Sequence, residues 1–222
     1  MAIIHRTTMS PTKLELLTDW LPTRPWYVGT GREPELSRTG GFRLDDPEGE
    51  VGIEFLVATD GSGPAPVSYH VPLTYRGAPL EGAEHALVGT SEHGVLGRRW
   101  IYDGTHDPVL VAQLLALLQG RAEPQAQSRS NTPDPSVTVR FTGTPVETGV
   151  VAPTVTDGSH ATRIAVEATG SRSPSSPTLR VTRLLEPGSA PADATGHVTA
   201  GWRSPDGGEH RGVFAALHGA RS

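Results

Sequence analysis

The segment that decides the fold class is Val67-Ser68-Tyr69-His70-Val71-Pro72-Leu73-Thr74-Tyr75. Apolar or aromatic residues alternate with more polar ones, which is the period of a β-strand that buries one face. We predict a two-faced antiparallel strand, with His70 exposed on its polar face. Because Pro72 has no backbone N–H to donate to a ladder, it predicts a sheet edge or a β-bulge.

Similar alternation on both sides of this segment predicts further strands, around residues 42–44, 51–57, 85–90 and 95–102. Two helices accompany them. The first runs over residues 11–21, with Ser10 as its N-cap and a stop at Pro22. The second begins after Asp107, has Pro108 at its first position, and is closed by Gly120. A few helices beside an antiparallel sheet define an α+β fold.

The second half of the chain predicts a small, mostly antiparallel β unit. Short alternating segments occur around residues 137–141, 164–168 and 179–181, and Pro205-Asp206-Gly207-Gly208 indicates a hairpin turn. We therefore divide the chain into residues 1–120, a polar linker or surface loop at 121–135, and a β-rich lobe at 136–222. The two halves are expected to touch, because each is too small to bury a large core alone.

Composition excludes several classes of function. The chain has 222 residues, a hydrophobic fraction of 36%, and a formal net charge of −5 with no basic block. This charge balance argues against a nucleic-acid partner. The absence of cysteine excludes disulfides and thiol catalysis. No apolar run is long enough for a membrane span, and residues 1–10 do not resemble a signal peptide, so we expect a cytoplasmic protein without a membrane partner.

The sequence contains no established catalytic or cofactor motif. Glycine-rich phosphate loops, the H-E-x-x-H zinc motif and the G-x-S-x-G serine elbow are all absent, so we expect neither a cofactor nor a metal. The densest polar cluster contains Asp103, His106 and Asp107, which could form an acid–base group or a weak metal site. The structural alternative is that Asp103 belongs to a turn and that Asp107 caps the following helix.

Aromatic residues offer a second candidate site. Trp26, Tyr27, Trp100 and Tyr102 could form a platform on which sugar rings stack. The alternative is that these residues belong to the core, because the chain has few aromatic side chains to fill it. Exposure of the rings on one common face would distinguish the two interpretations.

A family resemblance covers approximately residues 10–120. It is carried, in order and spacing, by Trp20-Leu21-(3)-Pro25-Trp26-Tyr27-Val28-Gly29, Tyr69-His70-Val71-Pro72-Leu73-Thr74-Tyr75-Arg76, Ala86-Leu87-Val88-Gly89 and Trp100-Ile101-Tyr102-Asp103-Gly104-(2)-Asp107-Pro108 with the leucine-rich helix. Together these segments resemble the N-terminal cap domain of actinobacterial maltokinases. The resemblance implies a helix packed on a curved antiparallel sheet, similar to cystatins, that sits on a kinase N-lobe.

The second half resembles an eroded form of that N-lobe. Ser128-Arg129-Ser130-Asn131-Thr132 is similar to a turn of the family's phosphate-side loop. The segment 179–188 is similar to the strand and loop that carry the nucleotide-binding lysine, and Arg180 occupies the position of that lysine. A planar guanidinium does not replace a compact ammonium between phosphates.

The resemblance favours a non-catalytic function. Phosphoryl transfer requires a positioned base and metal-binding side chains, which in this family lie in a helical C-lobe. We therefore expect no enzyme activity, but a binding or regulatory module associated with maltose, trehalose or α-glucan metabolism. Its expected partner is a maltokinase or another glucan-metabolising enzyme. The alternatives are direct binding of maltooligosaccharides and an uncharacterised enzyme that uses Asp103, His106 and Asp107.

Overall fold

A computed structural model describes residues 8–127, 129, 132–145, 153–166 and 177–219. Within them, helix α1 spans Lys13–Trp20 and helix α2 spans Pro108–Leu118. Three short 3-10 turns lie at Leu21–Thr23, Glu84–Ala86 and Gly104–His106. The rest of the regular structure is β-strand, so the predicted α+β class is confirmed.

Thirteen strands are present in the described residues. Those of the first half are β1 (Met9–Ser10), β2 (Leu36–Leu44), β3 (Gly52–Asp60), β4 (Val67–Arg76), β5 (Leu87–His93), β6 (Gly97–Asp103) and β7 (Gln125–Ala126). Those of the second half are β8 (Thr138–Phe141), β9 (Thr154–Asp157), β10 (Ala161–Ala165), β11 (Thr178–Thr182), β12 (Ala194–Arg203) and β13 (Glu209–His218). They form one antiparallel sheet in the order β1-β5-β6-β4-β3-β2-β12-β13-β11-β10-β9, while β7 pairs with β2 and β8 with β12.

Strand β4 also joins the two halves directly. The His70 N–H donates to the Arg183 carbonyl at 2.8 Å, and Tyr69 forms a bridge with Leu184, just after β11. The path from β4 through β3, β2, β12, β13 and β11 therefore closes into a ring of paired strands. On the same edge of β4, the pairing with β6 begins only at Leu73. Pro72 lies between the part of β4 that pairs with Arg183 and Leu184 and the part that pairs with β6. Its missing N–H therefore interrupts neither of these two ladders.

The two faces of β3 and β4 are both buried, each by a different cluster. On one face α1 packs through Leu17 and Trp20 against Leu56 and the odd-numbered residues of β4. On the other face a larger cluster combines β2, β3 and α2 with β10 to β13. The expected contact between the halves is therefore confirmed, because residues from both build one core.

The exposure predicted for His70 is wrong. Its side chain is fully buried, and its ring lies 4.5 Å from the Phe214 ring and 5.9 Å from the Phe55 ring. The polar face of β4 is covered by the second half of the chain, which alternation within β4 alone cannot reveal. A strand buried on both faces need not be apolar on both if its polar groups find partners.

The start of α1 differs from the prediction. Thr12, not Ser10, is the N-cap, and Thr12 and Glu15 form a capping box. Met9 and Ser10 instead pair with β5. The predicted start of α2 is confirmed, because the Asp107 side chain accepts a hydrogen bond from the Val109 N–H at 3.0 Å. The hairpin between β12 and β13 is also confirmed.

Some predictions concern residues that the structure does not describe. Of the turn predicted at Ser128–Thr132, only Arg129 and Thr132 are described, and most of residues 1–10 lie outside the described ranges. In the predicted linker 121–135, β7 pairs with β2. Neither helix of the described structure is long and apolar enough to cross a bilayer.

Candidate functional site

The predicted acid–base cluster lies on the 3-10 turn between β6 and α2. Asp103 ends β6 and accepts hydrogen bonds from the Thr105 N–H at 3.1 Å and the Thr105 hydroxyl at 2.8 Å. Its second carboxylate oxygen, Oδ2, accepts a hydrogen bond from Nη2 of Arg183 at 2.5 Å. The two side chains are 2% and 0% exposed, so this is a fully buried ion pair.

Arg183 is held by several groups in addition to Asp103. Its Nε donates to the Thr162 hydroxyl at 2.7 Å, and its Nη2 also reaches the Thr105 hydroxyl at 3.0 Å. The guanidinium lies 4.8 Å from the centre of the Trp26 ring, within the range of a cation–π contact. This side chain therefore ties the second half of the chain to β6 and to the aromatic residues under α1.

The charge of Asp103 is stabilised by this arrangement. Burial alone would raise the pKa of its carboxyl group, but the positive charge of Arg183, followed by His106 and the Thr105 hydrogen bonds, brings the pKa below its ordinary value. A general acid or base in an enzyme needs a pKa near the working pH. The lowered pKa favours the ionised form of Asp103 as the buried partner of Arg183.

Asp107 is occupied in the same way by a different arginine. In addition to capping α2, its two carboxylate oxygens accept hydrogen bonds from Nε and Nη2 of Arg76, each at 2.7 Å. The carboxylate is completely buried, and this bidentate geometry is the strongest that arginine offers. The structural alternative considered for Asp107 is therefore the one observed.

The partner of His106 is another histidine. Its Nδ1 lies 3.1 Å from Nε2 of His85, at the side of a shallow cleft of about 220 Å³. Burial lowers the pKa of His106, the Asp103 charge opposes this shift, and His85 adds to it. The three predicted acid–base residues thus have three separate partners and do not converge on one reacting position. In the described part of the chain, no three His, Asp or Glu side chains are grouped as metal ligands.

The four aromatic candidates do not form a common platform. Trp26 is 1% exposed and Tyr102 is 2% exposed, so neither ring presents a face to a ligand. Trp26 and Tyr27 belong to the cluster under α1, whereas Trp100 and Tyr102 pack with Ala83 in a separate cluster. The structure supports the core interpretation for Trp26 and Tyr102, whereas Tyr27 and Trp100 are half-buried.

The partly buried rings have defined polar contacts or packing partners. The Tyr27 hydroxyl donates to Asp60 at 3.0 Å, and its ring stacks on Tyr69 at 5.5 Å between centres. Burial and the Asp60 carboxylate raise the pKa of Tyr27 to about 12. Trp100 packs beside Tyr102, whose hydroxyl accepts a hydrogen bond from the Leu80 N–H at 2.9 Å.

Arg180 lies on β11 and faces away from the core. Its neighbours Leu179 and Val181 are in the large cluster, whereas Arg180 is only partly buried and contacts the Thr182 hydroxyl at 3.3 Å. Burial lowers the pKa of Arg180, and the nearby charge of Arg163 lowers it further. Arg180, which the resemblance aligns with the nucleotide lysine, thus lies on the outer face of the sheet in the second half of the chain.

Arg183 and Glu54 are among the buried charged residues that the sequence analysis did not identify. Arg183 follows Leu179 and Val181 at the inward phase of the alternation, which is a signal that it is buried. Glu54 lies at the opposite phase from Ile53 and Phe55, but both faces of β3 are buried. It accepts hydrogen bonds from Lys13 at 2.6 and 2.7 Å and from the Tyr75 hydroxyl at 2.5 Å. Burial would raise the pKa of Glu54, but Lys13 and Tyr75 bring it below its ordinary value.

The fold and the site thus define an α+β protein in which a buried ion pair, Arg183 with Asp103, connects the two halves. Residues 20–107 match the family model of the maltokinase N-terminal cap domain. This match runs from the end of α1, through the sheet β2 to β6, to the N-cap of α2, and it confirms the resemblance seen in the sequence. No curated protein matches the chain.

Proposed function

We propose that this chain is a non-catalytic binding or regulatory module, related to the N-terminal part of maltokinases, that functions in cytoplasmic maltose, trehalose or α-glucan metabolism. The observation that carries the proposal is the match of residues 20–107 to the maltokinase cap. Packing of α1 on an antiparallel sheet supports a cystatin-like cap in this segment. Its proposed partner is a maltokinase or another glucan-metabolising enzyme.

The use of the acidic side chains supports a non-catalytic role. A catalytic carboxylate must be able to reach substrate or metal, but Asp103 and Asp107 are each enclosed with an arginine. At the position of the nucleotide lysine, Arg180 supplies a larger planar group on the outer surface. We therefore expect the eroded N-lobe to have no phosphoryl-transfer activity.

The first test is direct binding. The purified chain is immobilised and titrated with a purified maltokinase, and enzymes captured from cytoplasm are identified by mass spectrometry. We expect saturable binding of the maltokinase or enrichment of a glucan-metabolising enzyme. If neither is obtained, the partner assignment is wrong.

Two surface variants sharpen this test. Val95 and Leu96 are 60% and 46% exposed at the β5–β6 turn, within the segment that matches the cap. Val139 is 37% exposed on β8, outside that segment, and provides a matched control. If the cap-like segment makes the contact, Val95→Asn/Leu96→Asn weakens capture more than Val139→Asn does. The reverse order would assign the contact to the second half.

The non-catalytic part has its own test. ATP consumption is measured in the presence of maltose, with an active maltokinase as the positive control. We expect no sugar-dependent ATP turnover by this chain and no thermal stabilisation by ATP. Turnover above background that persists through repeated purification would overturn the proposal.

A further inference from the structure

A row of cationic side chains crosses the second half of the sheet. In the ladder, Arg163 of β10 is paired with Arg180 of β11, and Arg180 is paired with Ala216 of β13. Ala216 is paired with His197 of β12, which in turn is paired with Arg140 of β8. Directly paired residues in antiparallel strands project to the same face. We call Arg163, Arg180, His197 and Arg140 the basic row.

The basic row lies on the outer face of the sheet. The residues that flank it along the strands point to the opposite face, where Ile164, Leu179 and Val198 are buried in the large core cluster. Arg163 and Arg140 are exposed, while Arg180 and His197 are partly buried. Ala216, in the middle of the row, is fully buried between the partly buried Arg180 and His197.

No carboxylate neutralises the basic row within the described residues. Two other exposed arginines have acidic partners, Arg98 with Glu92 at 2.8 Å and Arg203 with Glu209 at 3.0 Å. By contrast, Arg163 and Arg180 are like charges placed directly opposite each other, which destabilises a sheet. Residues that break a local rule in this way are expected at functional positions.

Like charges along the row contribute to the lowered pKa values of two of its members. Burial and then the charge of Arg163 lower the pKa of Arg180. Burial and then the charge of Arg140 lower the pKa of His197. An anion placed on the row would offset the repulsive part of each shift.

The dimensions and chemistry of the row define its ligand. Five adjacent strands span roughly 19 Å, from four spacings of about 4.8 Å. Guanidinium groups at these intervals can each hold a carboxylate in a bidentate contact. The exposed Thr156 is paired with Arg163 and extends the row with a hydroxyl group at one end.

We propose that the basic row is a docking surface for an acidic segment of a partner protein, whose Asp and Glu side chains cross β10, β11, β13, β12 and β8. This proposal rests on the strand register and the charges, and is independent of the relation to maltokinases. The exposed position of Arg163 and Arg140 at the two ends leaves both guanidinium groups accessible to such a segment.

Two other anionic ligands fit the row less well. Phosphate groups are typically held by free backbone N–H groups at a helix N-terminus or in a nest, whereas the row lies on paired strands. Single-stranded nucleic acid binds to aromatic rings interleaved with basic groups. Here the row carries no aromatic side chain, and the formal net charge of the chain is −5.

The test uses the full chain and a fluorescent poly-L-glutamate peptide as the probe. Binding is followed by anisotropy at low salt and at 0.3 M salt. We expect saturable binding that weakens with salt. The variant Arg163→Gln/Arg180→Gln should lower the affinity about tenfold, whereas Arg98→Gln/Arg203→Gln, which removes the same charge elsewhere, should change it less than about threefold.

Competition identifies the ligand class. An unlabelled glutamate peptide should displace the probe at lower concentrations than tripolyphosphate, ATP or a single-stranded oligonucleotide does. Stronger displacement by any of these three would overturn the assignment to an acidic protein segment. Equal losses in the two double variants, or no binding at low salt, would remove the basic row as a docking surface. Circular dichroism and thermal melting of each variant confirm that it remains folded.

Discussion

Arg180 and Arg183 are close neighbours in the chain, but they occupy opposite electrostatic environments. Arg183 faces inward and is surrounded by Asp103, Thr105 and Thr162. Arg180 faces outward and its nearest charged neighbour is another arginine, Arg163. The inner arginine is paired because an unpaired buried charge is prohibitive, whereas an exposed arginine can remain unpaired at small cost.

This comparison distinguishes arginines that form buried ion pairs within the fold from arginines that lie on its outer face. The inner ion pairs of this protein, Arg183 with Asp103 and Arg76 with Asp107, connect elements that are far apart in sequence. Buried pairs of this kind add little net stability but are very sensitive to the loss of one partner. Within the described residues, the outer arginines Arg163 and Arg180 form no ion pair, so their charges do not connect elements of the fold.

The largest expected effect comes from removing the inner arginine. Arg183→Met leaves the Asp103 carboxylate buried without its counter-charge, so we expect the free energy of unfolding to fall by about 3–5 kcal/mol. Urea denaturation with a two-state analysis measures this change. The double variant Arg183→Met/Asp103→Asn should recover part of the loss, since it keeps the acceptor for Thr105 and removes the lone charge. A loss below about 1 kcal/mol for the single variant would mean that Asp103 is not buried as described.

A smaller effect is expected from His70, which lies in the same interior. Burial lowers its pKa to about 3, with Arg183 adding to the shift and the Thr182 carbonyl opposing it. Its Nδ1 lies 2.8 Å from that carbonyl and donates to it, while its Nε2 has no hydrogen-bond partner in the described structure. The folded protein thus keeps this imidazole neutral where the unfolded chain, with an ordinary pKa near 6.5, binds a proton.

Stability should therefore fall as pH decreases from about 6.5 towards 3, by about 1.4 kcal/mol per pH unit from this one residue. Urea denaturation at pH 7 and pH 5 measures the slope. His106 and His197 also have lowered pKa values, so the contribution of His70 is the difference between the wild type and His70→Gln. Between pH 7 and pH 5, the free energy of unfolding should fall by about 2 kcal/mol more in the wild type than in His70→Gln. Parallel curves for the two proteins would contradict the burial of His70.

Sequence reasoning succeeded where one element was sufficient to decide the structure. The cap of α2 by Asp107, the hairpin between β12 and β13 and the class of fold all follow from local patterns. It failed for His70 because the burial of that face depends on a segment more than a hundred residues away. The same is true of Arg183, whose partner Asp103 is not identifiable from any local spacing.

In the candidate site, too, local patterns predicted some features, and others depended on distant parts of the chain. The alternation of the chain already indicated that Arg180 points away from Leu179 and Val181, but only the strand register places Arg163 beside it. The aromatic residues could be assigned to either a platform or the core from sequence. Their separation into two clusters depends on the path of β4 and β6 through the sheet.

The smallest expected effect is at the outer arginines, and it has the opposite sign. Arg163→Gln/Arg180→Gln removes two like charges that face each other across β10 and β11, so we expect unfolding free energy to stay unchanged or rise by about 0.5 kcal/mol. The control Arg98→Gln/Arg203→Gln breaks two exposed ion pairs and should cost between about 0 and 1 kcal/mol in total. Thermal melting at low salt and at 0.5 M salt measures both. Because salt screens exposed charges, the two variants should converge towards the wild type as salt increases. A loss of about 2 kcal/mol in the first variant would show that Arg163 and Arg180 stabilise the fold, and would place them with the inner arginines.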